Sequence, residues 1–228
     1  MHKDNLVDLI LFKSSEDKKY VTLKEYTERM NSEQKSIYYA CGETIDRIEM
    51  LPQVEMVKDK GYEILYLTDY VDEFTVKTLM MYNDKQFINI CAADTDFDTE
   101  EEKNNLESEN EANKEMFGYM QDIIKDVSAV RFTNKLKNHP VCLTNEGEIS
   151  AEMEKVLNSM PGNQVIKAEY VLEINISHPI ADKIKALFAD DKEKLADYSK
   201  LLYNQSRLIG GLSIENPTEF SQLICSLM

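Results

Sequence analysis

Groups that bind metals or form cross-links are scarce in this chain. There are three histidines and four cysteines in 228 residues. His2, His139 and His178 stand alone, and Cys41, Cys91, Cys142 and Cys225 are far apart with no C-x-x-C pair. That spacing argues against a zinc site and against a disulfide framework, and it reads as reduced, buried thiols. Glycine is also sparse, at seven residues. The chain has no P-loop, no G-x-G-x-x-G and no G-x-S-x-G, which removes the commonest nucleotide cradles and the hydrolase elbow. Positive charge is in deficit as well. Lys and Arg total 26 against 42 Asp and Glu, a formal charge of −16, which argues against a nucleic-acid surface. No apolar run approaches a membrane span, and Met1-His2-Lys3-Asp4 does not open a signal peptide. A soluble, cytosolic protein is the expectation.

What is present suffices for a core: 43% of the residues are hydrophobic, and the length allows one large or two small domains. The first apolar segment is Leu6, Val7, Leu9, Ile10 and Phe12; it begins abruptly, as if sequence upstream had been cut off. Thr22-Leu23-Lys24-Glu25 is a capping box, with Val21 and Tyr26 spaced for a hydrophobic staple. Gln34 to Cys41 is rich in β-formers and stops at Gly42. Ile45, Ile48, Met50 and Leu51 predict a helix broken by Pro52, continued by Val54, Met56 and Val57 to a stop at Lys60-Gly61. Glu63 to Leu67 predicts a second strand, Thr68 to Met80 a helix, and Gln86 to Ala92 a third strand. Strands alternating with helices over short connections predict a small parallel sheet covered by helices.

Composition then shifts. Asp94, Asp96, Asp98 and Glu100 to Glu102, followed by Glu107, Glu109 and Glu111, read as a solvated link or an exposed helix start. An acidic metal loop is the sharper alternative, though the run lacks the glycine and terminal glutamate of an EF-hand. The boundary between two domains is drawn here, at 105/106. Beyond it, Met116, Met120, Ile123 and Val127 line a helix, and Ser128–Phe132 and Val141–Leu143 predict strands. Ile149 to Met160 predicts a short helix from Ser150, ended by Pro161-Gly162. Tyr170 to Ile176 alternates as a strand, and Ser177-His178-Pro179 opens a helix through Ile184, Leu187 and Phe188. This half reads as α+β.

The last 34 residues carry the clearest pattern. Leu195, Tyr198, Leu202, Gln205 and Ile209 recur at three and four residues, with Leu201 and Leu208 beside them. Gly210-Gly211 stops that helix, and Asn216-Pro217-Thr218-Glu219 starts another with Phe220, Leu223, Ile224 and Leu227 on one side. Chain ends fray unless docked. The hairpin is therefore expected to be covered, by the rest of the chain or by a second copy of itself in a four-helix bundle about a two-fold axis. Each well-buried Leu, Ile or Phe contributes about 1.5–3 kcal/mol. Several per protomer can exceed an association cost of about 4–15 kcal/mol. Periodicity alone does not choose between the two covers.

No catalytic constellation emerges. Asp69, Asp72 and Glu73 cluster at a strand-to-helix turn, where acids ordinarily complement the helix dipole. Paired carboxylates can also do acid–base or metal work, so a small α/β enzyme is the rival reading. Two features hint at binding. Ile149, Met153, Val156, Leu157 and Met160 share one face of a short helix, and methionine adapts to varied partners; ordinary core packing is the plainer explanation. Phe74 beside Glu73 is an aromatic among acids, for which burial is the default.

Several motifs taken together resemble the heat-shock protein 90 chaperone family. Thr22-Leu23-Lys24-Glu25-Tyr26 with Arg29-Met30, Gln34-Lys35, Ile37-Tyr38-Tyr39, Gly61-Tyr62-Glu63-Ile64-Leu65 and Thr68-Asp69 with Asp72-Glu73-Phe74 are similar to the end of its middle domain. Val130-Arg131-Phe132, Ile149-Ser150-Ala151-Glu152-Met153, Val171-Leu172-Glu173-Ile174-Asn175, His178-Pro179, Leu201-Leu202-Tyr203 with Gln205, and Asn216-Pro217 with Phe220 resemble its C-terminal domain. The chain ends without the eukaryotic Met-Glu-Glu-Val-Asp tail, which points to a bacterial member.

The resemblance implies a fragment: residues 1–105 as the end of the middle domain, a small α/β unit, and 106–228 as an α+β dimerisation domain ending in a helical hairpin. It implies that the ATP-binding domain and the arginine assisting hydrolysis lie elsewhere. ATP and Mg would then be cofactors of the full-length protein only, and this piece no enzyme. It implies a homodimer through Leu195, Tyr198, Leu202, Leu208, Ile209, Phe220, Leu223, Ile224 and Leu227. It implies contact with unfolded or partly folded clients through Glu73, Phe74, Lys77, Ile149, Met153, Val156 and Leu157, to which the apolar helix face adds Met160. Assistance to folding under stress, with other chaperones as further partners, is the expected function.

Overall fold

Thr22 accepts the N–H of Glu25 at 3.1 Å while the Glu25 carboxylate accepts the N–H of Thr22 at 2.8 Å, so both bonds of the expected capping box form. The computed structural model in which they are seen describes residues 7–95, 97–161 and 166–227. Leu6, Asp96 and Gly162, which entered the sequence patterns above, lie outside the described residues. Contacts divide the chain into two compact units, Met1–Thr95 with Ile149–Lys167, and Asp96–Glu148 with Ala168–Met228.

In the first unit, strands β1 (Leu11–Ser14) and β2 (Tyr20–Thr22) precede helix α1 (Leu23–Arg29). Then come β3 (Ile37–Cys41), α2 (Ile45–Glu49), α3 (Pro52–Asp59), β4 (Ile64–Leu67), α4 (Asp72–Leu79), β5 (Met81–Tyr82) and β6 (Lys85–Asn89). The sheet order is β2-β1-β4-β3-β6-β5. The three expected strands β4, β3 and β6 are parallel, but β1, β2 and β5 pair antiparallel at the flanks. The sheet is therefore mixed rather than parallel. The cause is local: Asn83-Asp84, both at positive φ, make a two-residue hairpin turn between β5 and β6, and a four-residue turn over 15–18, with Asp17 and Lys18 at positive φ, joins β1 to β2. Pro52 begins a helix instead of only breaking one, because its fixed φ fits the first helical position. Gly61, at φ +69°, then ends α3 as expected. Phe12, Val21, Leu23, Tyr26, Ile37 and Leu65 form part of one core, which includes both residues of the staple.

The second unit begins with α5 (Glu100–Ala112) and α6 (Lys114–Ile124). The acidic stretch is thus mostly helix, opened by a second capping box between Thr99 and Glu102. No residue of α5 is buried, so it carries no apolar stripe to announce it. Polar bonds hold it instead: Asn110 accepts the N–H of Phe132 at 2.8 Å, and Lys185 donates to Glu109 at 2.8 Å. Among the described residues no group of three or more His, Cys, Asp or Glu is placed to hold a metal ion.

Strands β7 (Ala129–Thr133) and β8 (Val141–Glu146) follow, then α7 (Ala151–Ser159) in the first unit, and β9 (Glu169–Asn175) back in the second. Strand β9 lies between β7, to which it is parallel, and β8, to which it is antiparallel. Helices α8 (Pro179–Asp190), α9 (Lys192–Ile209) and α10 (Pro217–Leu227) complete the chain. Met116, Met120, Phe132, Val141, Leu172, Ile174, Ile184, Leu195 and Leu202 belong to the core of this unit. Gly210 and Gly211 close α9 as a Schellman motif: the N–H of Leu212 reaches the carbonyl of Arg207 at 2.8 Å, and that of Gly211 reaches Leu208 at 3.1 Å.

Candidate functional site

Parallel strands leave a crevice at their carboxyl ends, and the first unit has its cavity there. Strands β3 and β4 end side by side at Cys41 and Leu67. Helix α4 starts just beyond β4, and α7 packs over the same end. Between them lies a cavity of about 160 Å³, lined by Cys41, Leu67, Tyr70, Phe74, Met153 and Val156 together with Glu43, Asp69, Glu73 and Glu152. Helix α7 forms there because Ser150 caps it, accepting the N–H of Met153 at 3.1 Å.

Glu73 is the anchor of this arrangement. It is 4% exposed. One carboxylate oxygen accepts from Asn89 Nδ2 at 3.3 Å, and the other accepts the Ser150 hydroxyl. Burial, and then the nearby Glu73 carboxylate, push the pKa of the Cys41 thiol well up. Lys155, on the outer side of α7, pairs with Glu152 at 2.8 Å and Glu43 at 3.6 Å.

The structure brings Phe74, Met153 and Val156 to one cavity, with Glu73 buried beneath. Met153 is buried; Ile149, Val156, Leu157, Phe74 and Lys77 are half-buried; Met160 is 55% exposed. Tyr70 and Val71, which periodicity did not single out, are exposed beside Phe74. Cys41 and Ser150 were likewise missed as site residues; the signal for Ser150 was its position before α7.

The acidic trio does not assemble as a catalytic site. Asp72 accepts the N–H of Asp69 at 3.1 Å, an ordinary use of an acid in a first turn, and burial raises its pKa. Glu73 is occupied by Ser150 and Asn89. These acids are engaged in helix-start and helix-anchoring bonds, so the enzymatic rival finds no support.

In the second unit the terminal stripe divides. Leu195 (0% exposed) and Leu202 (2%) are sealed in the core of their own chain, and Tyr198 packs against that core. These three face inward because α9 packs on α6, α8 and β8. Leu208 is exposed and Ile209 half-buried. Helix α10 has no buried residue: Phe220, Leu223 and Leu227 are half-buried and Ile224 is exposed. Its start is fixed by Asn216, which accepts the N–H of Glu219 at 3.1 Å. Among the described residues no helix is long and apolar enough to cross a membrane.

The sequence profile of the family described as Hsp90 protein matches residues 1–228. Chaperone protein HtpG of Clostridium botulinum (strain 657 / Type Ba4) is 54% identical over 228 residues. The proteins of that name from Clostridium perfringens (strain 13 / Type A) and Alkaliphilus oremlandii (strain OhILAs) are each 52% identical, over 229 and 228 residues. Each alignment covers all of this chain and 36% of the relative, so the chain spans about a third of their length. With the profile matched from end to end, this chain belongs to the Hsp90 family.

Proposed function

We propose that this chain is the dimerising and client-holding part of a cytosolic, ATP-dependent chaperone active in protein folding and the stress response. The observation that carries the reading is the cavity edged by Phe74, Met153 and Val156, with Tyr70 and Met160 exposed nearby. An apolar cleft with adaptable methionine at its edge and acids in its lining suits exposed hydrophobic side chains of unfolded proteins better than any one small molecule. Glu73 holds α7 in register, while Phe74, Lys77, Ile149, Val156, Leu157 and Met160 meet the client.

Dimerisation uses Phe220, Leu223, Ile224 and Leu227 of α10 with Leu208 and Ile209 at the end of α9. Leu195, Tyr198 and Leu202 brace that surface from within. A dimer presents the cleft twice, so two weak contacts on one client gain avidity. In this reading residues 1–105 end the middle domain and 106–228 form the C-terminal domain. ATP and Mg belong to the portion of the protein that this chain does not span. Other chaperones join as partners of the intact protein.

The test pairs Phe74→Ala with Met160→Ser, neither of which is buried. Binding of a reduced, carboxymethylated unfolded protein is measured beside the sedimentation of the variant. Weakened binding with an unchanged oligomer supports the reading. Unchanged binding would leave a dimerisation module without client contact.

A further inference from the structure

Helix α9 ends at Ile209 and α10 begins at Pro217. One side chain of α9, Arg207, grips the connection between them. Its guanidinium donates through Nε to the carbonyl of Ser213 at 2.9 Å and lies 3.7 Å from the Glu215 carboxylate. Its backbone carbonyl accepts the N–H of Leu212 at 2.8 Å. Helix α9 steadies the guanidinium in turn, because Nη1 donates to the hydroxyl of Tyr203, a buried residue one turn earlier, at 2.8 Å. The Arg207 side chain is 15% exposed, so these charge-assisted bonds are largely shielded from water.

Little else fixes the direction of α10. None of its residues is buried. A cavity of about 180 Å³ lies between Ile123 of α6, Tyr203 of α9, and Phe220 and Leu223 of α10, so packing beneath the helix is incomplete. Lys200 pairs with Glu219 at 3.8 Å, but both side chains are exposed, and such a pair holds little. We propose that Arg207 is the positioning residue of the dimer: it sets the direction in which α10 leaves α9, and so presents Ile224 and Leu227 to the second copy. This rests on the dimerisation proposed above and adds to it a residue that lies outside the contact surface.

The test is sedimentation equilibrium of the full chain beside Arg207→Met, which keeps the aliphatic stem, and Arg207→Lys, which keeps the charge but not the fork. Both protomers must present α10, so a fall to about a third in the aligned fraction raises the apparent dissociation constant about tenfold. That rise is expected for Arg207→Met, with Arg207→Lys between it and the unaltered chain. Tyr203→Phe removes the hydroxyl that steadies the guanidinium; it is expected to weaken the dimer less, and to add nothing to Arg207→Met. Hydrogen exchange in Arg207→Met should quicken over residues 212–219 and stay unchanged over 192–203. A dimer of unaltered strength in Arg207→Met would overturn this inference alone. So would lost protection along the whole of α9, which would make Arg207 a general support of the fold. A monomer in the unaltered chain would overturn the dimerisation reading, and this inference with it.

Discussion

The Ser150 hydroxyl donates to the buried carboxylate of Glu73 and, through the same oxygen, accepts the N–H of Met153. One side chain therefore starts helix α7 and ties it to α4. The Ser150→Ala substitution removes a cap worth about 0.5–2 kcal/mol and strips a donor from a buried carboxylate, a loss of about 1–3 kcal/mol. Urea denaturation should show a destabilisation of about 2–4 kcal/mol. Hydrogen exchange should rise selectively over residues 151–159; an unchanged midpoint would mean that the tie carries no weight.

Tyr26 is fully buried, and its hydroxyl donates to the carbonyl of Glu63 at 2.6 Å while accepting from Gln34 Nε2 at 2.7 Å and the Tyr38 N–H at 3.2 Å. Burial raises its pKa, so it stays a neutral donor. The Tyr26→Phe substitution keeps the ring and orphans these partners. Chemical denaturation should find it less stable by about 1–3 kcal/mol.

Acid should weaken the first unit through Glu49. Its carboxylate is met by Lys18 at 2.6 Å, Lys58 at 2.8 Å and the Tyr66 hydroxyl at 3.1 Å. Hydrogen bonds from Lys18 and then Lys58 hold its pKa down at about 2. A depressed carboxylate stabilises the fold above its unfolded value of about 4.3 and loses that contribution as pH falls toward 2. Thermal melts across this range should flatten in Glu49→Gln relative to the unaltered chain. Parallel curves would contradict the assignment.

Lys125 ends helix α6 in the left-handed region at φ 65°, a conformation costing a side-chain-bearing residue about 1–2 kcal/mol. Glycine adopts it without that strain, though with more freedom to lose on folding. A net gain of about 0.5–1 kcal/mol in Lys125→Gly, read by denaturation, is expected.

Elements that bury an apolar stripe or carry a local cap were legible in the sequence: α1 from its box, β9 from its alternation, and the α9–α10 hairpin from its spacing and two glycines. Helix α5 was legible only as one of two alternatives, a link or an exposed helix start, because polar bonds from Asn110 and Glu109 hold it where a hydrophobic face would ordinarily do so. The flanking antiparallel strands were hidden behind short turns, the four residues 15–18 and the pair Asn83-Asp84, that contain no glycine to mark them. At the site, Phe74 and the face of α7 could be named from residue type and period. Their convergence could not, since an amphipathic helix does not state which surface it covers. Nor does periodicity separate Leu195 and Leu202, which fill their own core, from Leu223 and Ile224 on a helix with no buried residue.

That last contrast supplies the most direct test. Sedimentation equilibrium of the chain beside Leu223→Ser with Leu227→Ser should give a dimer for the unaltered protein and a folded monomer for the variant. These positions lie outside the buried core, so the far-ultraviolet circular dichroism should not change. A monomer in both samples, or a dimer untouched by the substitutions, would contradict the claim that a second copy covers α10.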